Sequence, residues 1–178
     1  MKLNLLSLAT AAALLSAGAF AADGTITFKG NVTSQTCTLA ANGAAAKDFT
    51  VTLDSVLASG LDAAGKTAGG KAFTLSLSAC TDTTGNVRTS FEPGPTVDAA
   101  TGRLNIDSAS TAKNVQIGLK NADNSVIKVG ADGAAQNSAT YALKDGAATM
   151  SYIAEYVATG KATAGTANSS VMYTVTMP

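Results

Sequence analysis

The stretch GTITFKGNV, Gly24–Val32, alternates between polar and apolar residues as a β-strand does. The residues of one face are Ile26, Phe28, Gly30 and Val32. Those of the other face are Thr25, Thr27, Lys29 and Asn31. An apolar face near the start of a chain needs a partner that buries it, and the glycine leaves a notch in that face. The pattern therefore raises the question of whose core this strand completes.

The residues before this strand have the layout of a secretory signal peptide. Lys2 is followed by an apolar run, and the small residues Ala19 and Ala21 flank Phe20 at a cleavage site. We expect cleavage after Ala21, which removes residues 1–21. A membrane anchor is the alternative, but the apolar part is only about a dozen residues, against the roughly 20 that span a bilayer. The sequence predicts an exported chain without membrane insertion.

The charge and composition of the chain argue against several classes of function. Lys and Arg number 12, Asp and Glu also number 12, and there is no histidine and no tryptophan. This balance lacks the positive charge that attracts nucleic acids or anionic membrane surfaces. Acid–base catalysis usually uses a histidine or a close carboxylate pair, whereas these aspartates are scattered through turn-like segments. We expect no enzyme activity, no cofactor, no metal site and no nucleic-acid partner.

Runs typical of β-strands recur along the chain, between segments rich in Gly, Asn, Asp and Ser. They are FTVTLDSV at 49–56, KAFTLSLSAC at 71–80, NVRTSF at 86–91, NVQIGLK at 114–120, SVIKV at 125–129, TYAL at 140–143, TMSYIAEYVA at 149–158 and SSVMYTVTMP at 169–178. Helical periodicity is absent after the signal. The predicted fold class is all-β, an antiparallel sandwich of short strands.

The two longest runs predict which side chains face the core. In the run 149–158 one face carries Met150, Tyr152, Ala154, Tyr156 and Ala158. The opposite face includes Glu155, which we expect to mark a partly exposed side. In the last run the apolar face carries Val171, Tyr173, Val175 and Met177. Chain ends fray unless they are paired, so both terminal strands need partners. Pairing within one self-closed sandwich is the simpler explanation, and pairing with another molecule is the alternative.

The cysteines indicate one covalent link. Cys37 and Cys80 are the only two, and in an exported chain an even pair most simply forms a disulfide. Two thiols without a histidine do not make a zinc site, and no C-x-x-C spacing suggests redox catalysis. We expect a disulfide between Cys37 and Cys80.

Five segments of the mature chain follow one another in a specific order. They are ITFKGNV, VTLDSV, FTLSLSAC, NVQIGLKN and YIAEYVATGKATAGTANSSVMYTVTMP. In this order they resemble the type 1 pilin subunits of chaperone–usher fimbriae in Gram-negative bacteria. The resemblance implies an incomplete immunoglobulin-like sandwich that lacks its final strand and leaves a groove open. A periplasmic chaperone fills this groove first, and at the outer-membrane usher the N-terminal extension of the next subunit replaces it.

The resemblance also implies roles for individual residues. It divides the chain into a donor-strand extension at 22–34 and a pilin domain at 35–178. Ile26, Phe28 and Val32 would enter the neighbour's groove, and Gly30 would lie where that groove is too shallow for a side chain. Cys37 and Cys80 match the family's disulfide. The expected C-terminal strand, which borders the groove and pairs with the chaperone, is marked by Gly165, Val171, Tyr173, Val175, Met177 and Pro178. Met177 departs from the family pattern, which usually has tyrosine as the penultimate residue.

Three functions are consistent with these observations. The leading hypothesis is the major shaft subunit of a fimbria, exported through the periplasm to the cell surface, with roles in adhesion and biofilm formation. A minor or adaptor pilin is the second. A stand-alone secreted sugar-binding sandwich is the third, and it is disfavoured because the chain has no tryptophan to stack on a sugar. The partners implied are other pilin subunits, a periplasmic chaperone and an outer-membrane usher.

Overall fold

The computed structural model describes residues 36–177, and their regular structure is almost entirely β. This part of the chain contains ten strands and two short 3₁₀ helices, Ala58–Leu61 and Gly133–Gln136. The strands are β1 (Thr38–Ala41), β2 (Thr67–Ser78), β3 (Thr84–Phe91), β4 (Val97–Asp98), β5 (Arg103–Asn105), β6 (Val115–Asn121), β7 (Val126–Ile127), β8 (Thr140–Lys144), β9 (Ala148–Ala158) and β10 (Tyr173–Thr176). The predicted all-β class is confirmed.

The strands of this region form two antiparallel sheets. The larger sheet has the order β1-β2-β9-β6-β5-β4, with β7 paired to β6, and the smaller has the order β10-β3-β8. The pairing of β2 with β9 runs from Thr67↔Val157 to Leu77↔Ala148. A bulge interrupts it at Gly69, whose φ of 70° favours glycine. The bulge lies beside Val56 and Tyr156, which a Cβ at Gly69 would crowd.

The larger of two apolar clusters in residues 36–177 lies between the two sheets. It takes Phe73 and Leu75 from β2, Val87 and Phe91 from β3, and Tyr152 from β9, all of them buried. The Tyr152 ring lies 5.6 Å from that of Phe73 and 5.2 Å from that of Phe91, so it contacts both sheets. Each fully buried side chain of this size contributes about 1.5–3 kcal/mol. The predicted sandwich is confirmed.

The two faces of β9 differ from the sequence prediction at one residue. Met150, Tyr152 and Ala154 are buried in the core, as predicted. Glu155 points away from it, yet it is only 7% exposed. Its Oε1 lies 2.7 Å from Lys120 Nζ on the neighbouring strand β6, which supplies the opposite charge that a buried carboxylate requires. The expectation that Glu155 marks a partly exposed side is wrong.

Candidate functional site

An open groove runs along one edge of the sandwich. It has a volume of about 1290 Å³ and lies between two segments, which we call the first rim (residues 47–53) and the second rim (residues 167–177). Its apolar lining comes from β1, β2, β3, β5, β6 and β9. The lining side chains between the rims include Leu39, Phe73, Leu75, Leu77, Phe91, Leu104, Ile117, Leu119, Ala154 and Tyr156. The groove floor is therefore the side of the apolar core, and the half-buried apolar side chains of the two rims lie above it.

The first rim has the side-chain pattern of a strand but no strand partner in the described region. Phe49, Val51 and Leu53 are half-buried and pack against the core, whereas Thr50 and Thr52 are exposed. Within residues 36–177, residues 48–56 form no backbone–backbone hydrogen bond. The prediction that FTVTLDSV forms a strand is wrong for this reason. Apolar and polar side chains alternate wherever one face of an extended segment is buried. A β-strand needs, in addition, a neighbouring strand that bonds to its backbone.

The second rim is held from its outer side. In β10, residues Tyr173 to Thr176 pair with β3 from Phe91 to Arg88. No other strand of residues 36–177 pairs with β10, so within this range its groove side is a sheet edge. Unpaired N–H and C=O groups at such an edge are a template for another strand. Since no strand of residues 36–177 pairs with either rim on its groove side, the groove can accept one extended strand along its length.

The structure places the predicted C-terminal residues as follows. Val171, Tyr173 and Val175 are half-buried and line the groove. Met177 also lines it and is 38% exposed. Gly165 lies before the second rim, outside the groove lining, with its backbone packed against residues 111 and 112.

Several predicted features fall outside residues 36–177. They are the signal peptide at 1–21, the extension at 22–34, Pro178, and the donor residues Ile26, Phe28, Gly30 and Val32. Their roles remain predictions.

Hydroxyl groups fasten the start of the second rim to the loops beside it. Ser169 Oγ donates to the carbonyl of Asn105 at 2.7 Å, and Thr96 Oγ1 donates to the carbonyl of Ser170 at 2.6 Å. Ser110 Oγ accepts from the backbone N–H of Asn168 at 2.8 Å. Sequence reasoning missed these contacts, because the partners lie far apart in the chain. They hold residues 168–170 in place without a strand partner.

Two side-chain contacts fix the ends of the first rim. Tyr173 Oη donates to the carbonyl of Lys47 at 2.7 Å, which joins the second rim to the first. Burial raises the pKa of the Tyr173 hydroxyl, and the negative charge of Asp48 adds to this, so the group remains a donor. Beyond the other end of the rim, Lys71 Nζ on β2 lies 3.1 Å from Asp54 Oδ1.

The cysteine prediction is confirmed, since Cys37 and Cys80 form a disulfide. Cys37 immediately precedes β1 and lines the groove, and Cys80 follows β2, to which β1 is paired. The link therefore ties the start of the described region to the strand that supplies Phe73, Leu75 and Leu77 to the groove lining.

The lining of the groove is suited to binding a ligand. Its lining is mostly apolar, and the charged residues Lys47, Asp48 and Glu92 lie along its borders. Across residues 36–177, no three His, Cys, Asp or Glu side chains come close enough together to hold a metal ion. Nor does any helix in that range have the length and apolar character to cross a membrane. What the arrangement offers is a long apolar trough with hydrogen-bonding edges, which suits an extended peptide.

Comparisons with known proteins point to one family. The family model for FimA, described as type-1 fimbrial protein, A, matches residues 53–178. The major fimbrial subunit SMF-1 of Stenotrophomonas maltophilia is 48% identical over 170 residues, covering 93% of this chain and 97% of that protein. The F17 fimbrial protein of Escherichia coli is 43% identical over 169 residues, covering 92% of each. A solved chaperone–usher pilus structure, 20% identical, shares the fold with a TM-score of 0.60, covering 88% of this chain and 96% of that one.

Proposed function

Because the chain belongs to the type-1 fimbrial protein family, we propose that it is a structural subunit of a chaperone–usher fimbria. In this proposal the groove of one subunit receives the N-terminal extension, residues 22–34, of the next. The sandwich of each subunit is thereby completed by its neighbour. Repetition of this contact builds a surface filament, which serves adhesion and biofilm formation.

The open groove is the observation that carries the proposal. The apolar side chains of the two rims are only half-buried, which is costly in water at about 25 cal/mol for each Å², and the two rims also leave backbone groups without partners inside residues 36–177. A single inserted strand would satisfy both needs. It would lie between residues 48–53 and β10 and would place alternate side chains on the groove floor.

The extension has the pattern that such a strand needs. Its apolar face carries Ile26, Phe28 and Val32. Burial of these three side chains would contribute about 5–9 kcal/mol, at roughly 1.5–3 kcal/mol each. Gly30 on the same face would lie where the groove leaves no room for a side chain.

Assembly requires two further partners in this proposal. A periplasmic chaperone lends a strand that protects the groove after export, and an outer-membrane usher is where the next subunit's extension replaces it. The similarity to a protein named a major fimbrial subunit supports a place in the shaft rather than at the tip. Electron microscopy of cells lacking this chain tests that point, because loss of whole filaments indicates the shaft and loss of tips alone indicates an adaptor.

The proposal is tested by adding bulk to one face of the extension. Gly30→Leu places a side chain on the face that enters the groove, and overpacking a filled site costs about 1–3 kcal/mol. We expect the variant, expressed with chaperone and usher, to form the chaperone complex but few or no filaments. Asn31→Leu is the matched control, since it adds a similar side chain to the opposite face, and we expect it to assemble.

The outcomes separate the possible errors. Abundant filaments from Gly30→Leu would refute the assignment of the donor strand. Loss of the chaperone complex in the same variant would place Gly30 in the subunit's own fold instead. Equal loss of filaments with Asn31→Leu would show that the extension tolerates no bulk on either face, which would contradict the proposed orientation.

A further inference from the structure

The position of the first rim depends on side chains. No backbone–backbone hydrogen bond within residues 36–177 holds residues 48–56 in place. Phe49, Val51 and Leu53 pack on the core, but apolar contacts do not fix a direction as hydrogen bonds do. Among residues 36–177, the directional side-chain contacts to this segment are those of Tyr173 with Lys47 and of Lys71 with Asp54.

Of these two contacts, the one that Tyr173 makes is also supported by packing of its ring. The side chains of Lys71 and Asp54 are 43% and 71% exposed, and ion pairs so open to water contribute little. Tyr173 is half-buried, its hydroxyl reaches a backbone carbonyl, and its ring lies 6.1 Å from that of Phe49 in an edge-on arrangement. The rim is therefore held to β10 chiefly from its Lys47 end.

The contact joins the two rims directly. Tyr173 belongs to β10 in the second rim, and Lys47 is the first residue of the first rim. The hydrogen bond of 2.7 Å and the contact between the Tyr173 and Phe49 rings therefore limit how far the first rim can move away from β10.

We propose that Tyr173 is a positioning residue that holds the first rim to β10 across the groove and so limits how fast one bound strand replaces another. This inference rests on the proposed function. Hydrogen bonds between strands require N···O distances of about 2.7–3.2 Å, so a strand between two fixed rims keeps its bonds. When the first rim is free to move, those bonds lengthen, and the bound strand leaves and is replaced more readily.

The test measures strand exchange directly. The mature subunit is purified as its complex with the periplasmic chaperone, and an excess of fluorescent peptide ADGTITFKGNVTS, residues 22–34, is added. The rate of chaperone release is then followed. Tyr173→Phe keeps the ring and removes only the hydroxyl, and we expect exchange to become about two- to tenfold faster, in line with the loss of one hydrogen bond.

Tyr141→Phe is the matched control. Tyr141 Oη donates to the carbonyl of Ser151 at 2.6 Å, and Tyr141 does not line the groove. We expect Tyr141→Phe to lower the Tm about as much as Tyr173→Phe does, because each loses one hydrogen bond to a carbonyl. Its exchange rate should equal that of the wild type. If Tyr173 contributed only to general stability, the exchange rate would increase equally in both variants.

Each result decides the matter. An exchange rate for Tyr173→Phe equal to that of the wild type, or equal acceleration in both variants, would overturn the inference and leave the proposed function standing. If the wild-type complex takes up no peptide, the proposed function fails and the role of Tyr173 in exchange fails with it.

Discussion

Gln136 and Phe91 exchange two hydrogen bonds as residues of neighbouring strands do. Gln136 Oε1 accepts from the backbone N–H of Phe91 at 2.8 Å, and Gln136 Nε2 donates to the carbonyl of Phe91 at 2.8 Å. The pairing of β8 with β3 ends at Arg88↔Thr140, so this side chain takes the place of a strand where β8 has ended. Since Phe91 lines the groove, the buried amide positions a residue of the binding site.

Replacement of this amide should destabilise the subunit strongly. Gln136→Leu leaves the N–H of Phe91 without this partner, at about 1–3 kcal/mol for a buried group, whereas the C=O of Phe91 still accepts from the N–H of Gly130 at 3.0 Å. We expect the free energy of unfolding to fall by about 1–3 kcal/mol, measured by urea unfolding of the subunit saturated with the peptide of residues 22–34. Asn86→Leu, an exposed amide on the same strand, is the control and should cost under about 0.5 kcal/mol. Equal effects would contradict the strand-like role of Gln136.

The disulfide should contribute a large share of the stability. It links Cys37 to Cys80 across a separation of 43 residues, and closing such a loop is worth about 4 kcal/mol in the chain-entropy model. We expect a variant with both cysteines changed to serine to lose about that much and to yield less chaperone complex. Dithiothreitol should lower the Tm of the wild type and leave that of the serine variant unchanged. Free thiols in native filaments would contradict the link.

A carboxylate at the end of β4 predicts a dependence of stability on pH. The pKa of Asp98 is lowered from 3.8, chiefly because Gln116 Nε2 donates to its side chain and also because the N–H groups of Ala100 and Thr101 do. A pKa lowered in the folded state stabilises above the unfolded value, and this stabilisation disappears as the pH falls through the folded pKa. The Tm of the wild type should therefore exceed that of Asp98→Asn most at neutral pH. Below 3.8 the difference should shrink, and a constant difference would refute this assignment.

Side-chain alternation was sufficient to predict the fold class, but it could not identify which strands have neighbours. Residues 49–56 alternate in burial as a paired strand does, because one face lies on the core. Whether another strand pairs with their backbone is independent of this alternation, and the sequence of these eight residues does not show it. The groove was therefore predictable only through the resemblance of the whole chain to pilins.

Contacts between distant residues were likewise beyond the sequence. Glu155 is buried because β6 lies beside β9 and brings Lys120 to it, and the alternation within β9 contains no information about that neighbour. Gln136 follows the same rule, since only the fold places its amide against Phe91. Polar residues in strands or loops can thus have buried roles that local patterns assign to solvent.

Gly165 offers the sharpest test of how the second rim is positioned. Its φ is 156°, and a Cβ there would overlap the backbone nitrogen of Ala112 and lie 2.6 Å from two atoms of Thr111. The next residue, Thr166, accepts from the backbone N–H of Ala112 at 3.0 Å through its carbonyl, so movement at Gly165 would break the contact that begins the rim.

We expect Gly165→Ala to lower the free energy of unfolding by about 2–4 kcal/mol, because the overlap is with backbone that cannot turn aside. The yield of chaperone complex should fall with it. Gly160→Ala is the matched control in the same loop, since a Cβ there would lie 3.6 Å from the Asn114 side chain, an ordinary contact. Urea unfolding of both variants with the peptide bound measures the difference. If both alanines cost the same, the close approach of residues 111 and 112 to Gly165 does not position the rim.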